Sequence, residues 1–93
     1  MFKTKLVLIE WFDSSQPVSN WVHLDDLPKA KPIKCASVGW LLVDTKHVKV
    51  LAPNMGDIKS TSNAQASGLM TIPACSVTKI TRLIELKAIS STG

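Results

Sequence analysis

The sequence predicts an all-β protein, a single domain over residues 1–93 built as a small, strongly bent five-stranded barrel with an inserted loop or short helix after the first strand. Three observations lead there. Short runs rich in Val, Ile, Leu and Trp recur at close spacing. Pro, Gly and Ser punctuate the intervals between them. Helical spacing of apolar residues is offered by one stretch alone, around Trp21, Leu24 and Leu27. Strands this short and this close are best accommodated by a small barrel, which limits exposed edges.

Residues 3–13, KTKLVLIEWFD, lack Gly and Pro and read as the first strand. Val7, Ile9 and Trp11 point one way, and Leu6, Leu8 and Phe12 the other, where Glu10 is the polar exception. A strand apolar on both faces expects cover on both sides. In so short a chain, one cover can come from another subunit. Residues 14–32 differ in composition, punctuated by Ser14, Ser15, Pro17, Pro28 and Pro32. Ser19 or Asn20 could cap a short helix with Trp21, Leu24 and Leu27 on one face and Asp25 and Asp26 in solvent, and an extended loop fits the same residues. Trp21 then reads either as part of a lid packed on the barrel or as a contact surface for a partner.

Residues 33–44, IKCASVGWLLVD, form the next strand, with Gly39 where a strong bend is wanted. A tight connection at Asp44-Thr45-Lys46 leads into residues 47–53, HVKVLAP, completing the clearest hairpin despite the lack of an Asn-Gly turn. Residues 54–67, NMGDIKSTSNAQAS, are small and polar and read as a mobile, variable surface loop. Residues 68–74, GLMTIPA, form a strand that Pro73 ends, because Pro cannot donate to a ladder. Residues 76–86, SVTKITRLIEL, supply the last strand, with Ile80, Ile84 and Leu86 on one face and Val77 and Leu83 on the other. The tail from Ser90 to Gly93 is expected to fray.

Composition narrows the function classes. The chain is 45% apolar with a net charge of +4. That is enough to bury a small core without metal or disulfide staples. Its mild basicity serves solubility or attracts phosphate, and the Lys residues are scattered rather than clustered. Cys35 and Cys75 stand alone, without a partner Cys or a His at ligand spacing, so no metal site or cofactor is expected and both read as buried thiols. Lys3 and Lys5 before Leu6-Val7-Leu8-Ile9 start like a targeting signal, but Glu10 ends the apolar run too early. Nothing reaches the length of a membrane span, and a cytoplasmic location is the expectation. Catalysis is not expected either. Asp25 and Asp26 read as solvated, Asp44 as a turn residue, and His23 and His47 have no nucleophile at hand.

Two stretches resemble the Sm-like (LSm) family. GWLLVDTKHVKVLAP is similar to the first Sm motif, with Gly39, Asp44 and Leu51 at the matching places. IPACSVTKI keeps the spacing of the second motif through Ile72, Val77 and Ile80. The likeness covers roughly the last sixty residues, and a generic SH3-like barrel shares part of the pattern. It implies bent barrels assembled side by side into a homo-oligomeric ring, and sources of the phage or prophage kind. In the family, the fourth strand of one subunit pairs with the fifth of its neighbour, so the resemblance nominates Leu69, Met70, Ile72, Val77 and Ile80 as interface residues. It also implies RNA or single-stranded DNA as a partner. The positions that hold a base in RNA-binding members are Val48 and Pro73-Ala74 here, which removes the recognition groups. What remains is low-specificity binding by charge, for which Lys46, His47 and Lys49 are the candidates beside the pore-side loops, with Lys34, Lys79 and Arg82 elsewhere. The alternative is an oligomeric protein-interaction module that uses the 14–32 insertion and binds no nucleic acid.

Overall fold

The long apolar runs become strands because alternate residues can be buried along one face of a sheet. In a computed structural model that describes residues 4–86, these are β1 (Lys5–Asp13), β2 (Ile33–Asp44), β3 (Val48–Ala52), β4 (Asn54–Gly56), β5 (Gln65–Ser67), β6 (Met70–Pro73) and β7 (Val77–Arg82). Two three-residue 3-10 turns, Leu24–Asp26 and Ala74–Ser76, are the helical structure among the described residues. Lys3 of the opening run and the tail expected to fray, 90–93, lie outside the described residues.

Five strands form one antiparallel sheet in the order β6-β3-β2-β1-β7, and β4 and β5 pair separately. β2 is the long central strand. It runs in register with β1 from Lys5↔Leu41 to Asp13↔Ile33, then pairs with β3 across a register shift between Leu41 and Val43. Gly39 is required by a close approach, since a Cβ there would lie 2.8 Å from the Ala52 carbonyl oxygen. On the other side, β7 carries a bulge opposite Glu10 and Trp11. The hydroxyl of Thr78, the extra residue, donates to the Glu10 carbonyl at 3.0 Å and satisfies a group the bulge takes out of the ladder.

The core lies on one face of the sheet. Val7, Ile9, Leu51 and Ile72 are its buried centre, with Trp11, Leu41 and Val77 packed against them. Val7, Ile9 and Trp11, expected to share one face of β1, do so, and that face is the core face. Trp11 Nε1 donates to Ser37 Oγ at 3.0 Å, so its polar edge is satisfied across the strand pair.

Three expectations need correction, and one that stood open between alternatives is decided. The sheet does not close into a barrel: among the described residues β6 and β7 are the outermost strands and no ladder joins them. They are short and meet at Pro73, which has no N–H, and at the 3-10 turn Ala74–Ser76. The 54–67 stretch is not wholly a loop, because β4 and β5 pair from Asn54↔Ser67 to Gly56↔Gln65. They extend the β3–β6 hairpin past a kink where Gly68, at φ 75°, lies against the Pro53 ring. Of the alternatives for 14–32, the structure has the loop rather than the capped helix, and Trp21 is not packed on the sheet as a lid. The one 3-10 turn of this segment has no side-chain cap, and every residue from Phe12 to Lys34 is exposed. Finally, the thiols are not buried, since Cys35 is half-buried and Cys75 exposed.

Candidate functional site

Three features stand out as places where this sheet could meet another molecule: its two open edges, the tip of the β2–β3 hairpin, and the arm over 14–32. Each follows from local sequence. The hairpin turns at Thr45, whose backbone N–H donates to the Val48 carbonyl at 3.0 Å. The Thr45 hydroxyl oxygen accepts from the N–H groups of His47 (3.2 Å) and Val48 (3.0 Å). This side-chain closure replaces the missing Asn-Gly chemistry. The Ala74 N–H donates to the His47 carbonyl at 2.9 Å, which ties the hairpin to the turn between β6 and β7.

The tip presents Lys46 and His47, both exposed. Lys49 is different. It lies opposite Asp44 in the ladder, and its ammonium forms an ion pair with the Asp44 carboxylate and a 2.8 Å hydrogen bond to the Thr45 carbonyl. The Lys49 side chain is 16% exposed and that of Asp44 57%. The charge of Lys49 is thus largely engaged within its own hairpin. Of the three candidate phosphate contacts, Lys46 and His47 stand free in solvent and Lys49 does not.

The nominated interface residues divide in the same way. Leu69, Met70 and Ile80 are exposed along or beside the edge strands. Ile72 is fully buried and Val77 packs against the core, so both hold this chain's own fold together. The Ile72 side chain is not available to a neighbour, and Val77 is half-buried. Met70 instead receives a long 3.6 Å contact from the Ser37 hydroxyl to its sulfur. The backbone is the more telling part of these edges. Among the described residues β6 pairs with β3 alone and β7 with β1 alone, so the outer row of N–H and C=O groups on each has no ladder partner among them.

The arm is the feature the sequence left most open. Trp21 is fully exposed, and Val18, Val22, Leu24 and Leu27 are exposed with it. Among the described residues there is no cluster of His, Cys, Asp and Glu that could hold a metal ion and no enclosed cavity. No helix among them is long and apolar enough to cross a membrane.

Fold and surface together define a small all-β protein whose five-stranded antiparallel sheet is open at both edges among the described residues. Comparison with protein-family models, with curated proteins and with solved structures finds no match to this chain.

Proposed function

We propose that this chain is an Sm-like assembly protein, whose copies join edge to edge into a ring that contacts RNA or single-stranded DNA weakly through positive charge. The observation that carries the reading is the strand order β6-β3-β2-β1-β7. It leaves two consecutive strands, β6 and β7, at opposite ends of one sheet, each with an edge that is unpaired among the described residues. An edge of one copy and the opposite edge of the next are a matched pair for head-to-tail association, and rings close in that way. Pairing them removes two exposed edges per contact, which are otherwise aggregation sites.

Nucleic acid is the proposed partner because Lys46 and His47 project from a turn held rigid by Thr45, on a chain of net charge +4. With Val48 and Pro73-Ala74 at the positions where the family holds a base, the contact is to phosphate and carries no sequence preference. A second reading is favoured by the exposed Trp21: an assembly module that contacts protein through its arm and binds no nucleic acid.

Light scattering behind a sizing column tests the ring, which requires a sharp species several times the 10.1 kDa chain. Titration of a mixed-sequence single-stranded RNA at low and moderate salt tests the partner. Binding that weakens steeply with salt supports phosphate contact. No binding at low salt removes nucleic acid and leaves the protein-interaction module.

A further inference from the structure

β1 is held in its sheet from both sides, and the connection that leads out of it does none of the holding. It is in register with β2 from Lys5↔Leu41 to Asp13↔Ile33, and with β7 from Val7↔Arg82 to Trp11↔Val77. Val7 and Ile9 are buried in the core, and the Leu83 N–H donates to the Leu6 carbonyl at 2.9 Å. Asp13 and Ile33 stand opposite each other, so a turn of about 2–5 residues would join the two strands. The chain uses residues 14–32 instead, and every one of them is exposed. Among the described residues, the arm's one backbone–backbone hydrogen bond runs from the Asp26 N–H to the His23 carbonyl. No hydrogen bond or ion pair among them holds 27–32.

We propose that the arm is a cleavable tether with its processing site at Lys29–Ala30, and that hydrolysis there leaves β1 seated between β2 and β7. The agent is a serine protease that prefers a basic residue, an enzyme class that takes its substrate as extended backbone. Water adds across the Lys29–Ala30 peptide bond, leaving a carboxylate on Lys29 and an amine on Ala30. The other described lysines outside the strands are poorer sites. Lys31 precedes Pro32, whose ring replaces the N–H of the bond to be cut. Lys46 lies in the turn closed by the Thr45 hydroxyl. Lys59 precedes Ser60, whose N–H donates to the Asp57 carbonyl at 2.9 Å and whose hydroxyl oxygen accepts from the N–H groups of Ser62 and Asn63. Cutting the arm removes no contact of β1, but it changes what those contacts must do. A flexible tether holds β1 at an effective concentration of about 1 mM. With folded chain exceeding unfolded by at least about a thousandfold, the two pieces bind with a Kd of about 1 µM or tighter. The seat of β1 becomes concentration-dependent on cutting, and dilution then releases it. This proposal rests neither on the ring nor on nucleic acid.

Trypsin is the probe, applied briefly to the native full chain while peptide masses are followed in time. New ends at Lys29 and Ala30 are expected before any cut at Lys34, Lys46 or Lys59. Lys29→Gln is expected to leave the arm whole over the same digestion. The nicked protein, passed through a sizing column at about 50 µM, is expected to carry both pieces in one peak that matches the uncut chain. The pieces are expected to part only in denaturant. A first cut at Lys34, Lys46 or Lys59 would mean that 27–32 are held in solution, and overturns the proposal. Pieces that separate on the column, or a nicked protein that precipitates, would show that β1 depends on its tether rather than on its ladders, and overturn it equally. Cutting of the arm in Lys29→Gln at the wild-type rate rejects Lys29–Ala30 as the site.

Discussion

Gly39→Ala is the sharpest probe of how β2 and β3 are held. The added methyl would sit 2.8 Å from the Ala52 carbonyl oxygen and 3.1 Å from its carbon. Both are backbone atoms, so no flexible side chain can swing away. Ala52 is fully buried and is paired with Trp40, and the next residue, Leu51, is both paired with Leu41 and part of the core. Relief therefore means parting the two strands by roughly half an ångström where they are anchored. Overpacking of this kind costs about 1–3 kcal/mol, and a weakened ladder bond adds about 1 kcal/mol. The stiffer unfolded chain returns about 0.4–1 kcal/mol. The net expectation is a loss of about 2–3 kcal/mol from a total of roughly 5–14 kcal/mol for a chain of this length. Urea unfolding followed by tryptophan fluorescence should show the midpoint falling by about 1–2 M with the slope unchanged. Gly56→Ala is the control, because a Cβ there meets nothing within 4 Å. A Gly39→Ala midpoint within about 0.3 M of wild type would refute the close approach of β2 and β3 as the reason for this glycine.

Three further outcomes are expected. Gly68→Ala should lose about 1–2 kcal/mol in the same urea assay, because its φ of 75° is unfavourable for an L-residue and its Cβ would lie 2.9 Å from Pro53 Cγ. Ile72→Ala should lose about 2–5 kcal/mol, a cavity cost that an interface side chain exposed in the free chain would not show in dilute protein. Asp44→Ala should change stability by less than about 1 kcal/mol, since the pair with Lys49 is more than half exposed on the Asp44 side. It should also release the Lys49 charge and steepen the salt dependence of single-stranded RNA binding by about 0.7 per added phosphate contact. An unchanged salt slope in that variant would mean that the freed Lys49 makes no phosphate contact.

Strand alternation was the most legible part of the sequence. The inward set of β1 and the hairpin at Thr45 follow from periodicity and turn position, both local properties. The β4–β5 ladder was not legible, because Asn-Met-Gly and Gln-Ala-Ser have weak strand propensity. Their pairing is imposed by continuation of the β3–β6 hairpin. The openness of the sheet escaped for a different reason. Closure depends on how far β6 and β7 are carried round by accumulated twist, and no residue period encodes that angle. The Lys49–Asp44 pair could have been found, since the two face each other once the turn is placed at Thr45. The position of Trp21 could not, because the tendency of large aromatics to be buried says nothing about which chain buries them.

The distribution of apolar residues bears on why the chain is built this way. A five-stranded sheet with one buried face should alternate cleanly, with polar side chains on the solvent side. Here the core face is satisfied by four large buried side chains, yet the other face carries Leu8, Phe12 and Val38, and the arm adds Trp21, Leu24 and Leu27. Exposed apolar groups scattered singly need no explanation, but a face and an arm from the same chain, each exposed among the described residues, are a different pattern. Two open edges point the same way, because both of the chain's uncompleted features, its hydrogen bonding and its apolar surface, can be completed by a second copy. An isolated copy would leave all of these unmet, at a cost that a core of this size is poorly placed to offset. Folding and association are then expected to be one linked equilibrium, with apparent stability rising with protein concentration.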